Sequence, residues 1–269
     1  MIKTIINRLK IHSVDYEEIV NFIAPGYYFE FDRIVEKPIE IMNLMSNDIT
    51  DDALKVFILK IKDTPLIKKY IEKIIQHRMT NYLSVSDDTY KYYLEKCFNY
   101  TDFENKPIFK DEESVLDYGK LVMDTLVKYD VISNRDWEFK YWGAIGGAKV
   151  KEIDENVIYF TTEYTPIPEL ISKLSEIFPD AKFEYDFAAE DISYSCGEFS
   201  FEKGKMTDKK IYDSETKESY EKGFELFPDS KKYFKFDTKT NNYYHISDTE
   251  MIAILDYKHS KKKKNEMEM

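Results

Sequence analysis

Hydrophobic positions recur with two periods along this chain. Between about residues 50 and 130 they mostly fall three or four apart, and beyond Asn134 most of them alternate. The first spacing is that of an amphipathic helix and the second that of a half-buried strand. At the start, residues 4–13 read as a strand, with Ile6 and Leu9-Lys10-Ile11. Ser13 or Asp15 then caps a short helix through Phe22, which Pro25-Gly26 breaks. Residues 27–34 are aromatic and β-branched and predict a second strand.

Four helical segments follow. Asp51 and Asp52 open the first, with Leu54, Phe57, Ile58 and Ile61 on one face. Pro65 starts the second, with Leu66, Ile67, Tyr70, Ile71, Ile74 and Ile75 at helical spacing. Ser86-Asp87-Asp88 start the third, striped by Tyr90, Tyr93, Leu94, Cys97 and Phe98. The fourth carries Val115, Leu116, Val122, Met123, Leu126 and Val127. These stripes, tyrosines included, are expected to face a core rather than to form a ligand box.

After Asn134 the pattern predicts a sheet. Residues 156–162 read as a strand. Thr165-Pro166 begins a helix with Ile167, Leu170, Ile171, Leu174, Ile177 and Phe178 inward, and Pro179-Asp180 ends it. Phe183, Tyr185 and Phe187 alternate with Glu184 and Asp186 along a half-buried strand. Residues 192–201 form a further strand before a turn at Gly204, and residues 214–224 a short helix. The order strand, helix, strand, strand fits a split β-α-β sheet with helices on one face. The fold class expected is α+β, divided into a strand-helix-strand and helical region (1–130), a sheet domain (131–257) and a tail (258–269).

Composition narrows the function. No apolar run is long enough for a transmembrane helix, and Met1-Ile2-Lys3-Thr4-Ile5-Ile6-Asn7-Arg8 turns polar too early for a signal peptide. Cys97 and Cys196 are the two cysteines, read as reduced thiols of a cytoplasmic protein. The net charge is −12. Five Lys and two Glu in residues 258–269 leave residues 1–257 with 34 basic and 49 acidic residues, a charge of −15. Such a body repels nucleic-acid phosphates and attracts basic partners. The Lys-rich tail reads as a solvated, disordered terminus.

Several stretches resemble the YubB-like ferredoxin-like family carried by plasmids and phages. Asn7-Arg8-Leu9-Lys10-Ile11 is similar to its opening strand, although Ile-rich sequence precedes it in place of the family's Trp-Cys. Phe31-Asp32-Arg33-Ile34-Val35-Glu36-Lys37-Pro38 is similar to a Phe-x-x-Ile-Ile-Pro-x-Pro segment, with Glu36 in place of the first Pro. Tyr141-Trp142-Gly143 stands where the family has Asn-Trp-Gly, but Ala144-Ile145-Gly146 replaces the polar Thr-Lys-Trp that follows. Phe160-Thr161-Thr162, Pro166-Ile167-Pro168, Leu174-Ser175-Glu176-Ile177-Phe178-Pro179, Cys196-Gly197-Glu198 and Gly223-Phe224-Glu225-Leu226 extend the likeness over much of residues 131–227. The resemblance implies a ferredoxin-like fold and carriage by a mobile element; it implies no activity, and fold does not give function.

No GxSxG or HExxH occurs, and no CxxC or Cys/His cluster is spaced for zinc. The four histidines, His12, His77, His245 and His259, lack an adjacent catalytic companion. Gly143-Ala144-Ile145-Gly146-Gly147 lacks the Lys-Ser/Thr of a P-loop and reads as a tight turn. Cys196 reads as a buried thiol. Neither cofactor nor metal is expected. Glu184, Asp186, Glu190 and Asp191 are the densest acidic stretch of the sheet domain and the candidate partner-binding residues. The expected function is that of a non-enzymatic acidic interaction protein. Its partner would be a basic host protein, a nucleic-acid-binding defence nuclease being the type inhibited. The rival expectations are a small-ligand protein or enzyme using the open sheet face, and a nucleic-acid binder through the Lys tail and tyrosines.

Overall fold

A computed structural model of the chain describes residues 4–61 and 87–246. Two compact units divide the chain, Met1–Glu36 with Trp142–Met269, and Lys37–Tyr141. The first opens with β1 (Thr4–His12), α1 (Tyr16–Ile23), β2 (Tyr28–Phe29) and α2 (Phe31–Ile34). The second holds α3 (Ile39–Met42), α4 (Asn47–Ile61), α5 (Asp87–Phe98), α6 (Glu112–Tyr129) and most of α7 (Asn134–Trp142). The chain then re-enters the first unit as β3 (Ala148–Asp154), β4 (Val157–Glu163), α8 (Pro168–Ile177), β5 (Lys182–Ala189), β6 (Cys196–Glu202), β7 (Lys205–Ile211) and α9 (Lys217–Leu226). A 3-10 turn (Pro228–Tyr233) and the hairpin of β8 (Phe234–Asp237) and β9 (Asn242–His245) close it.

The main sheet runs β2-β3-β4-β1-β5-β6-β7, with every neighbouring pair antiparallel. Strands β4 and β5 flank β1 and are therefore parallel to each other, with α8 crossing between them: a split β-α-β unit. The boundary expected at 130/131 moves accordingly. β1 lies in the middle of the sheet, Asn7 opposite both Phe160 and Phe187, a pairing over separations that leave no mark in local periodicity.

One face of the sheet is apolar. Ile5, Leu9, Ile11, Ile158, Phe160, Phe183, Tyr185, Phe187, Phe199 and Phe201 are buried with Leu170, Ile171 and Leu174 of α8. A polar thread crosses this core. Tyr185 Oη donates to Asn7 Oδ1 (2.5 Å) and accepts from Ile167 N (2.9 Å), while Asn7 Nδ2 donates to Thr162 Oγ1 (3.1 Å). It fixes the start of α8 against β1 and satisfies groups that would otherwise cost stability when buried. Helices were expected on one face, and α8 lies there. The difference is α9, whose Lys222 reaches Asp186 and Glu198 on the opposite face.

Three other expectations change. Only Tyr28–Phe29 of residues 27–34 is strand; Phe31 and Ile34, both buried and three apart, take a helical turn. Residues 134–142 are helical, with Trp137 and Tyr141 stacked one turn apart at 4.8 Å. Asp51 and Asp52 sit inside α4, which begins at Asn47. The helix expected from Pro65 and the tail of 258–269 lie outside the described residues.

In the helical unit, α6 approaches α4 at Gly119, where a Cβ would meet the Ala53 carbonyl oxygen at 2.4 Å. Asp52, buried, accepts from Tyr100 Oη (2.7 Å) and pairs with Lys96 Nζ (2.9 Å). Asp111 and Ser114 form a reciprocal cap at the start of α6.

Candidate functional site

The second face of the sheet carries the charge. Along β1, β5 and β6 the register brings Arg8 opposite Asp186 and Asp186 opposite Glu198. Helix α9 lies over these strands. It begins with a reciprocal cap between Thr216 and Ser219, and its inward stripe is Ser219, Lys222, Gly223 and Leu226. Lys222 Nζ reaches Glu198 (2.7 Å), Glu225 (3.0 Å) and Asp186 (3.5 Å). Arg8 binds Asp186 through Nε (2.8 Å) and Nη2, and Glu225 through Nη1 (2.6 Å). Tyr212 Oη donates to Glu198 (2.7 Å). Two cations thus meet three carboxylates. The Lys222 side chain is only 5% exposed.

Burial opposes charge on Glu198, but the hydrogen bonds from Lys222 and Tyr212 outweigh it and hold its carboxyl below the ordinary glutamate value. Glu225 follows the same balance, with Lys222 and Arg8 as its partners. Burial also works against charge on Lys222, and the bond to Glu198 and the charge of Asp186 overcome it and raise its pKa. Burial pushes the neighbouring Cys196 thiol up to about 11, so it is a thiol rather than a thiolate at neutral pH. A small apolar patch of Ala188, Cys196 and Leu226, with Ile6, Tyr212 and Phe227 against it, completes the seat of α9.

The four candidate acids do not converge. Glu184 lies near the His12 end of β1, 3.1 Å from His12 Nε2 and 3.5 Å from Lys182 Nζ. The bond from His12 is the first cause of its lowered pKa. Asp186 belongs to the ion network and is not an open acid. Glu190 is at the other end, accepting from the Thr4 N–H (3.1 Å), and Asp191 opens the turn into β6. Sequence reasoning missed Arg8 and Lys222. A lysine in line with Ser219, Gly223 and Leu226 on the apolar stripe of a helix was the available signal.

Open acids gather elsewhere. The Ile11 N–H donates to Asn156 O (2.9 Å) and Asn156 Nδ2 donates to Ile11 O (2.8 Å), tying the β3–β4 turn to the end of β1 that leads into α1. Exposed Glu152, Asp154 and Glu155 therefore share one end of the sheet with exposed Asp15, Glu17 and Glu18. Residues 142–257 hold 24 acidic against 14 basic residues, whereas 37–141 hold 19 against 16. The acidity of the chain is concentrated in the sheet unit.

A cleft of about 450 Å³ lies at the β3 side of the same sheet, lined by Tyr28, Gly146, Gly147, Lys149, Lys151 and Thr161 among others. Gly143, Gly146 and Gly147 have φ of +81°, +79° and +110°, so the turn read from the sequence is present and needs glycine. Among the described residues no cluster of His, Cys, Asp and Glu could hold a metal ion, and no helix is long and apolar enough to cross a membrane. Both cysteines are free and buried. His245 packs against Tyr233 and Phe234; His77 and His259 lie outside the described residues.

The model of a family described as "Ferredoxin-like domain in Api92-like protein" matches residues 140–228. This stretch carries the split β-α-β crossover, and the chain contains a ferredoxin-like domain there. Among solved structures, the protein api92 from Yersinia pseudotuberculosis aligns over 80% of this chain and 99% of its own, at 9% identity and a TM-score of 0.34. Comparison with curated proteins gave no match.

Proposed function

We propose that the chain is a non-enzymatic interaction protein that binds a basic partner through the acidic end of its sheet. The observation that carries this reading is the gathering of Asp15, Glu17, Glu18, Glu152, Asp154 and Glu155, all exposed, on two segments joined at Ile11 and Asn156. Glu184 adds to that end, tempered by His12 and Lys182; Glu190 and Asp191 flank the sheet at its other end. Like charges gathered at the start of α1 and along the β3–β4 hairpin steer a basic surface into encounter. The similarity to the YubB-like family adds carriage by a plasmid or phage, and with it a host defence protein that handles nucleic acid as the partner to be inhibited.

Capture of host proteins on the full chain, identified by mass spectrometry, supplies the partner. Its affinity is then measured at two salt concentrations for wild type and for the triple variant Glu152→Lys, Asp154→Lys, Glu155→Lys. The expected result is weaker binding at higher salt, because screening shortens the reach of exposed charges, and slower association of the variant at unchanged melting temperature. Binding indifferent to salt and to the reversal refutes the acidic interface.

A further inference from the structure

The glycine turn before β3 serves neither the ion network nor the acidic end. At Gly146 and Gly147 no atom lies within 4 Å of a would-be Cβ, whereas at Gly143 the chain packs on Pro166 and Ile167. The last two glycines thus face open space, and that space is the cleft of about 450 Å³.

Its floor is set by register. Tyr28 pairs with Lys149 and Lys149 with Thr161, so the three form one row across β2, β3 and β4. The register then shifts between Val150 and Glu152, which makes Lys151 the extra residue of a bulge. Bulges re-aim side chains, and here Lys149 and Lys151 both line the cleft, against the single carboxylate of Glu163. Among the described residues neither amine makes an ion pair. The Tyr28 side, at 62% exposure, offers an open ring. Helix α9 lies over β1, β5 and β6 and not over this side of the sheet.

Two adjacent amines beside a left-handed glycine turn suit the oxygens of a phosphate. An exposed tyrosine in the same row suits a planar ring stacked upon it. The surrounding unit, rich in Asp and Glu, disfavours a polymer of phosphates and tolerates a single one. We propose that this cleft binds a phosphate monoester bearing a planar ring, of the nucleoside monophosphate class. The site adjoins the acidic end at Lys151-Glu152 but does not rest on the interaction reading.

Adenosine 5′-monophosphate, inorganic phosphate and a single-stranded oligonucleotide are titrated calorimetrically into the full chain. The monophosphate is expected to bind more tightly than phosphate. The double variant Lys149→Ala, Lys151→Ala should lose at least about tenfold in affinity, the scale of one charge-assisted contact, at unchanged melting temperature. Tyr28→Ala should erase the advantage of the nucleotide over phosphate. No binding of the nucleotide at millimolar concentration, equal affinity for phosphate, tighter binding of the oligonucleotide, or indifference to the lysine variant each overturns the proposal.

Discussion

Helices α8 and α9 dock on opposite faces of one sheet by different physics. Beneath α8 lie Phe183, Tyr185, Phe187, Phe199 and Phe201, and the contact is apolar apart from the thread through Asn7 and Tyr185 and the bonds of Ser172 and Ser175 to Gly204. Beneath α9 lie Arg8, Asp186 and Glu198, with a small apolar patch beside them. Apolar burial is favourable in proportion to area and has no charge for moderate salt to screen or mild acid to titrate. A part-buried ion network must recover the desolvation of its members, so it specifies position more than it stabilises. The same strands thus offer one seat that is strong and one that is conditional.

The largest effect should come from the apolar seat. Leu174→Ala removes a side chain with no exposure and is expected to cost about 2–5 kcal/mol in urea unfolding. A loss within the roughly 0.5 kcal/mol of ordinary surface changes would remove the distinction between the faces. The next effect should come from Lys222→Ala, which leaves Asp186 and Glu225 to Arg8 and Glu198 to the hydroxyl of Tyr212. Breaking a fully buried pair costs about 3–5 kcal/mol; partial exposure of Glu198 and Glu225 lowers the expectation to roughly 1–3 kcal/mol. Hydrogen exchange should quicken in residues 217–226 and stay slow in β1 and β5. Uniform quickening would mean that α9 and the sheet open as one body.

Acid should act more gently and on the same seat. The carboxyls of Glu198 and Glu225 are held below their ordinary value in the folded chain. Their contribution is complete above the unfolded glutamate pKa of about 4.3 and is lost as pH falls through the lower folded values. The protection of α9, taken relative to the intrinsic exchange rate at each pH, should therefore fall below about pH 4, and the difference should vanish in Glu198→Gln, Glu225→Gln. A pH response centred on α8 instead would reverse the assignment.

What was legible in the sequence followed the same division. The apolar seat could be read because both its partners carry a period: Phe183, Tyr185 and Phe187 alternate, and Leu170, Ile171 and Leu174 stripe a helix opened by proline. The ionic seat was harder to read, because Arg8, Asp186 and Lys222 are far apart along the chain and only Lys222, in line with the buried stripe of its helix, departs from the pattern of an ordinary surface charge. Strand β7 escaped for a related reason. Lys205-Met206-Thr207-Asp208-Lys209-Lys210-Ile211 is exposed throughout; it joins the sheet by its backbone, which no side-chain pattern announces. Residues 27–34 and 134–142 misled because aromatic residues favour strands only in a context that buries them pairwise. Phe31 instead meets Trp142 edge-on at 5.6 Å, and a helical turn places it there.

The central place of β1 sets an order on synthesis. Asn7 donates to Phe160 O, 153 residues later, and the other neighbour of its strand, β5, comes later still. At roughly 5–20 residues per second, the first strand waits about 8–30 seconds on the ribosome for the earlier of its two neighbours. In that interval Ile5, Leu9 and Ile11, wholly enclosed in the finished fold, have no sheet to enter. The nascent chain is therefore open to chaperones and to mispairing at β1 until β4 has been made.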